Sequence, residues 1–278
     1  MWFSDPLRIL ALVVGGAVFW SLESLLPFFR YERPRWRRAL PNLALTALLV
    51  LTNLALSSVL AGSSRFSTDH QFGLFFLFDI PLWLRGVLGV IALDLFTYLA
   101  HVLMHKSSIV WRFHRVHHSD KEVNVTTAFR QHPGETVWRV GWYALAIFVF
   151  GIPMWVMVTY LAVSALGAQL EHTNIRIPEF LDRTLRLLLV TPNMHKVHHS
   201  REQVQTDTNY ANILSVWDRC FGTYAPTVDF QRLRYGLDGF DEQTNQRLVP
   251  LLILPFDKGH SATAPLQGIH RSSRPRKP

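Results

Sequence analysis

The decapeptide 111-WRFHRVHHSD-120 places histidines at 114, 117 and 118, and 192-PNMHKVHHSR-201 repeats the H-x-x-H-H spacing at 195, 198 and 199. A third pair, His101 and His105, is spaced H-x-x-x-H inside an apolar segment, and on a helix an i,i+4 pair projects both rings from one face. Ten of the thirteen histidines fall between residues 101 and 199. Eight neutral imidazoles crowded together without paired acids would stay unsatisfied or repel on protonation, whereas bound metal ions satisfy them all. His172, in 169-QLEHTN-174, is a ninth candidate ligand, and His132, in 130-RQHPGE-135, is either a tenth or a support behind the ligands. A structural zinc takes four ligands and a catalytic mononuclear one commonly three, so this many histidines imply two ions. Imidazole suits iron, zinc, copper and nickel alike, so ligand type alone does not choose the metal. The two H-x-x-H-H copies read as the halves of a binuclear clamp, closed by the helix-borne H-x-x-x-H.

The stripe that carries His101 continues backwards through Tyr98 and Asp94. An aspartate inside a span is costly unless paired, and an acid that accepts an imidazole N–H fixes the ring for metal binding. Asp94 is therefore expected behind the metal site, serving His101 directly or through Tyr98. His70, His260 and His270 fall in loops or the tail and are excluded. The tetrapeptide HPGE resembles half of a haem-binding turn, but no small haem domain surrounds it.

These residues need elements to position them. Residues 7–29 and 39–61 are apolar and long enough to span hydrocarbon, as are 82–105, which end on the first histidine pair. Residues 72–83 suit an interfacial or re-entrant segment. The apolar run 137–170, broken at 151-GIP-153, is short for two full spans and reads as a tight hairpin. Five arginines between 30 and 38 put that turn in the cytoplasm, against a single Arg65 in the stretch 62–81. Every histidine box then falls at the cytoplasmic water–lipid boundary. The expected fold is an all-α integral membrane bundle of three clear spans plus a short helical hairpin, with a cytoplasmic histidine-rich di-metal cap. The expected organisation is 1–81 for the N-terminal helices, 82–225 for the catalytic domain and 226–278 for a cytoplasmic segment, with a disordered basic tail at 268–278.

Composition agrees. Of 278 residues, 49% are hydrophobic and only 17% charged, which favours a membrane or a very apolar core. A single cysteine, Cys220, excludes an internal disulfide framework, a cysteine zinc ribbon and a cysteine-ligated iron–sulfur cluster. The net charge of +8 sits largely in 30–38 and 270–278, flanking apolar segments, which favours topology retention over nucleic-acid binding.

At the aspartate-headed helix 94-DLFTYLAHVLMH-105 and the two boxes, the sequence resembles the fatty acid hydroxylase superfamily, the membrane di-iron group that includes sterol desaturases, C-4 methylsterol oxidases and alkylglycerol monooxygenase. The likeness covers roughly residues 90 to 225 and extends through 124-NVTTAFRQHPGE-135, 171-EHTNI-175, 191-TPNMHKVHHS-200 and 207-DTNYANILSVWDRCFGTY-224. It implies that the eight box histidines are iron ligands with His172 a further one. It also implies that Asn209, Tyr210, Trp217 and Asp218 belong to the frame that closes the site, and Asp207 is expected with Asn209 behind the ligands. Such enzymes use dioxygen and two electrons. No dinucleotide loop, flavin motif or iron–sulfur cysteine set is visible here, so an external reductase or small carrier is the expected electron donor. Basic patches would steer an acidic carrier, bind anionic lipid heads, or only retain topology.

The leading expectation is thus a di-iron oxygenase hydroxylating or desaturating a sterol, fatty acyl or ether lipid. Two alternatives stand beside it. One is a dizinc lipid hydrolase with Glu171 or Glu135 as base, zinc being a metal the site could also hold on isolation. The other is a metal transporter or store, which needs ligands along a membrane-crossing path.

Overall fold

The computed structural model describes residues 6–226 and 228–257. The 268–278 tail, which includes His270, and also His260 lie outside the described residues. The chain runs through α1 (Pro6–Leu25), α2 (Arg35–Asp69), α3 (Leu82–Lys106), α4 (Ser108–His118), α5 (Pro133–Phe150) and α6 (Met154–His172). Short helices α7 (Glu179–Leu185), α8 (Pro192–His198), α9 (Gln203–Thr206), α10 (Val216–Cys220) and α11 (Leu248–Ile253) follow. Among the described residues the only β pairings are two isolated bridges, Pro27 with Ile175 and Leu189 with Leu214.

The helices long and apolar enough to cross a bilayer are α2, α3 and α6, while the apolar part of α1, Ile9–Leu25, is shorter. The expected hairpin is present as α5 and α6. Its turn uses Gly151 in the left-handed region (φ 74°) and Pro153 as the residue before α6. Its arms are longer than the apolar run suggested, because α5 starts at Pro133 and α6 continues through Gln169 and Glu171 to His172. Likewise α2 does not stop at 61. The polar 62–69 stretch stays helical because its hydroxyls find acceptors: Ser63 Oγ donates to Val59 O, Thr68 Oγ1 to Ser64 O, and Ser64 Oγ across to Ile152 O.

The bundle core joins Leu60 and Phe75 to Ala92 and Leu93 of α3, Ala146 and Ile147 of α5, and Val156, Met157 and Tyr160 of α6. Helix α3 approaches α6 closely at Gly89, where a Cβ would lie 2.9 Å from a Val156 methyl. The C-terminal ends of α3 and α6 and the N-terminal end of α5 meet at one end of the bundle. There α4 follows α3 after the single residue Ser107, whose Oγ caps the new helix by accepting from Val110 N (3.4 Å). That sharp restart turns the second histidine box back over the first.

Polar struts hold this end together. Glu23 Oε1, at the end of α1, accepts from the backbone N–H of Val125 and of Asn174, both at 2.7 Å. The buried Arg130 guanidinium donates to Val116 O (2.9 Å) in α4, Asn42 Oδ1 (2.9 Å) in α2, Ser119 Oγ (2.7 Å) and Gln246 Oε1 (2.8 Å). A single planar fork thereby fixes four parts of the chain.

Candidate metal centre

All nine candidate ligands converge at this end, in two buried groups. His101, His105, His114, His118 and His198 form one, and His117, His172, His195 and His199 the other; within each group the ligating atoms lie within 4.8 Å of one another. Each H-x-x-H-H copy is divided between the groups. In α4, His114 and His118 face the first group and His117 the second; in α8 and its cap, His195 and His199 face the second and His198 the first. The i,i+4 pairs stay together because four residues on a helix come back to nearly the same direction. The third histidine of each box, about 100° away from its neighbour, reaches across.

Several rings have their orientation and tautomer set from behind. His101 Nδ1 lies 2.7 Å from Tyr210 O, His198 Nδ1 2.8 Å from Thr208 O, and His172 Nδ1 2.7 Å from Ala168 O. A carbonyl only accepts, so each Nδ1 carries the proton and each Nε2 keeps its lone pair. His114 Nδ1 stands 3.2 Å from Glu135 Oε1, and His105 Nδ1 3.5 Å from Asp207 Oδ1. These are close charge contacts without hydrogen-bond geometry, and a carboxylate at that distance favours the proton on the Nδ1 that faces it. The Nε2 atoms of His101 and His114 are then two lone pairs 3.1 Å apart with no hydrogen between them. In the second group the Nε2 atoms of His172, His195 and His199 form a triangle with sides of 3.0, 3.0 and 3.1 Å. One in-plane site per ring cannot make three mutual hydrogen bonds. Ligands about 2.0–2.1 Å from a metal stand about 2.9–3.4 Å apart across octahedral to tetrahedral angles, so both groups fit a cation at their centre. Burial first, then the neighbouring imidazoles, holds His117, His118, His195 and His199 well below the ordinary histidine range, so these rings stay neutral donors.

The expected pairing of Asp94 with His101 is not found. The Asp94 carboxylate instead accepts from Leu214 N (3.0 Å), Ile213 N (3.3 Å), Trp217 Nε1 (2.9 Å) and Tyr160 OH (3.2 Å). Tyr98 does not relay between them either, since its hydroxyl pairs with Thr223 Oγ1 at 2.8 Å. The reason is geometric: Asp94 is almost two turns before His101, and α10 with the segment before it fills that space. Asp94 therefore anchors the segment that supplies the Thr208 and Tyr210 carbonyls. Asp218 does similar work, accepting from Tyr210 N (2.8 Å), Ala211 N (3.0 Å) and Thr223 Oγ1 (2.7 Å). Asn209, between the two acceptor carbonyls of this segment, takes the left-handed region (φ 54°) and is pinned by its side chain to Met194 O and to Ala225 N and O. That conformation suits asparagine better than most residues.

His132 belongs to neither group. It caps α5, with Nδ1 accepting from Gly134 N at 3.0 Å, and so starts the helix whose first turn carries Glu135. Glu135, fully buried, also receives Arg139 Nε at 2.9 Å. Glu171 Oε1 lies 3.7 Å from His172 Nδ1 and 3.9 Å from His195 Nε2. His70 is remote, stacked on Phe66 (4.3 Å) at the other end of α2. The carbonyls of Ala168, Thr208 and Tyr210 had no signal in the sequence, because any residue type carries one. Glu135 had a signal, an acid in the first turn after a His-Pro cap.

Residues 86–223, the stretch that contains both groups, match the family model of the fatty acid hydroxylases. The chain belongs to the fatty acid hydroxylase superfamily. It is 31% identical over 144 residues to an ornithine lipid hydroxylase of Rhizobium tropici, covering 52% of this chain and 43% of that one. To the alkylglycerol monooxygenase of Danio rerio it is 36% identical over 155 residues (56% and 32%), and to that of Homo sapiens 34% over 168 residues (58% and 35%). The chain thus matches less than half the length of each of these relatives. No solved structure matches this fatty acid hydroxylase chain.

Proposed function

We propose that this fatty acid hydroxylase chain is a membrane-bound di-iron oxygenase that hydroxylates or desaturates a lipid, using dioxygen and electrons from an external reductase or carrier. What supports the reading is the pair of interlocked imidazole groups whose lone pairs face one another at the end of a bundle of apolar helices. One ion would be held by His101, His105, His114, His118 and His198, the other by His117, His172, His195 and His199. Iron bound there would supply the oxidising chemistry with dioxygen. Insertion of one oxygen atom into a C–H bond, with the other leaving as water, consumes two electrons and two protons. The protein's own part is orientation: Asp207 and Glu135 fix His105 and His114, while the backbone of Ala168, Thr208 and Tyr210 fixes three more rings. Asp94, Tyr98 and Asn209 hold the segment that supplies two of those carbonyls, and His132 starts the helix that bears Glu135. The names of the relatives, an ornithine lipid hydroxylase and alkylglycerol monooxygenases, favour an acyl or ether lipid over a sterol.

For the dizinc hydrolase reading, Glu135 Oε1 is already engaged by His114 and Arg139, which leaves Glu171, beside His172 and His195, as the base it would need. The transporter reading is weakened because both groups lie at one end of the bundle instead of along a path through it. Protein purified in mild detergent is expected to hold two irons per chain, with a Mössbauer spectrum of a coupled pair. Given a reductant, it should consume dioxygen in step with lipid oxidation. Two zinc ions with lipid cleavage that takes its oxygen from water would establish the hydrolase instead.

The cytoplasmic placement of the centre rests on the five arginines at 30–38, which stand at the same end of the bundle as the boxes. Reporter fusions after residue 32 and at residue 278 are expected to report cytoplasm, and one in the turn at 70–73 the opposite side. A C-terminal reporter on the same side as 70–73 would overturn this orientation.

A further inference from the structure

A cleft of about 820 Å³ opens at the metal-centre end, between the turn after α1, residues 176–179, the start of α8 and residues 228–235. Its lining is unusual in charge. Arg30, Arg176 and Arg234 are exposed cations on its wall, Arg234 using Nη1 for Gln231 O (3.2 Å) and Leu233 O (2.9 Å). The acids that share the wall are already engaged: Glu179 with Arg186 at 3.0 Å, and Asp229 with Arg232 at 3.4 Å. Lys121 is engaged as well, donating to Asp241 O at 2.7 Å. The floor is aromatic, with Phe28 edge-on to Phe230 (5.0 Å) and Phe29 edge-on to Tyr235 (5.7 Å).

Two lining side chains also hold polar atoms that no described residue satisfies. These are Asn193 Oδ1 and the Tyr235 hydroxyl, on residues only 3% and 7% exposed. Both atoms are themselves buried, so these two side chains wall the cleft while the exposed guanidinium groups make its polar surface. The rim of the cleft at Pro178 and Glu179 continues into α7, where Phe180 is 76% exposed and Leu181 42%. On the other side, Leu25 and Leu26 at the end of α1 are 74% and 57% exposed. Apolar residues therefore flank a cationic, aromatic cleft at the depth where spans end.

We propose that this cleft binds the phosphate of an anionic phospholipid headgroup, with the acyl chains passing over the apolar rim formed by Leu25, Leu26, Phe180 and Leu181. Guanidinium groups hold phosphate by paired, charge-assisted hydrogen bonds. The apolar rim selects a lipid over a soluble phosphate ester. Asn193 precedes His195 by two positions, about 3 Å along α8, so an occupant of the cleft bears directly on the helix that carries the last histidine box. The site needs neither metal nor turnover, so it stands or falls independently of the oxygenase reading.

Full-chain protein in neutral detergent is titrated with dihexanoyl-phosphatidylglycerol, dihexanoyl-phosphatidylcholine and sn-glycerol 1-phosphate, binding being read by thermal shift and native mass spectrometry. Saturable binding of phosphatidylglycerol is expected, at least about tenfold tighter than the other two. Arg176→Ala/Arg234→Ala is expected to weaken it at least about tenfold, from the loss of two charged hydrogen-bond donors, with helical content and metal content unchanged. Arg30→Ala alone should weaken it less. Arg65→Ala/Arg85→Ala, which removes two charges at the far end of the bundle, should leave it as in the parent. Equal binding of both lipids, or equal loss in the two double variants, overturns the site. Glycerol phosphate binding as tightly as the lipid overturns the lipid as its occupant.

Discussion

Purified His117→Ala protein is expected to hold about half the metal of the parent and to lose lipid oxidation, and His198→Ala is expected to do the same from the other group. The two residues occupy equivalent places in their boxes, each the ring that reaches away from its i,i+4 neighbours. His117 lies with His172, His195 and His199, and its Nε2 is 3.1 Å from that of His172. His198 lies with the five-histidine group and is oriented by Thr208 O. Loss of an orienting partner typically costs ten- to a hundredfold in metal affinity or activity, and loss of a ligand should cost at least about a hundredfold. The distinctive expectation is the residual metal. Each single variant should retain the ion of the untouched group, and the double variant should hold none. His70→Ala, at the far end of α2, should change neither quantity. Metal analysis with activity on detergent-solubilised protein checks all four, and full occupancy with full activity in both single variants would sink the two-ion arrangement.

Asp94→Leu is expected to be nearly as damaging by a different route. The buried carboxylate accepts from the backbone N–H groups of Ile213 and Leu214, the half-buried Trp217 indole and the buried Tyr160 phenol. Leucine leaves the two backbone N–H groups and the indole N–H without an acceptor, at about 1–3 kcal/mol each, while Tyr160 keeps Thr97 Oγ1 at 2.6 Å; the three losses are a large share of the 5–15 kcal/mol that typically separates a folded domain from its unfolded chain. The 207–224 segment should loosen, and with it the carbonyls that orient His101 and His198. Metal content, activity and thermal midpoint should therefore fall together. Asp94→Asn keeps one oxygen acceptor and should keep most of the metal with partial activity. If Asp94→Leu matched the parent in thermal midpoint and metal content, the anchoring role would be wrong.

Asp94 also shows where the sequence stopped being informative. That it is buried, paired and tied to the site followed from its place in an apolar span. Its partners did not, because three of its four bonds go to a segment about 120 residues away, and nothing in the local spacing encodes that approach. His132 is similar: its type suggested metal, while its position before Pro133 made it a helix cap. The extension of α2 to Asp69 depended on Ser64 finding Ile152 O across the bundle, which a polar composition alone would assign to a loop.

The sequence by itself determined the nine histidines, their one-ended placement, the helical membrane class and the likeness to fatty acid hydroxylases. It could do so because helical periodicity and hydropathy are local properties: i,i+4 spacing fixes which rings share a face, and an apolar run fixes a span. Only the tertiary structure decided how the rings are shared out. Each H-x-x-H-H box serves both groups, because α4 and α8 pack against each other across the ends of α3 and α6, and a ring about 100° around its helix then faces the other cluster. The same packing brings the carbonyls of Ala168, Thr208 and Tyr210 behind three of the rings, where the backbone decides the tautomer and leaves each Nε2 lone pair facing its group.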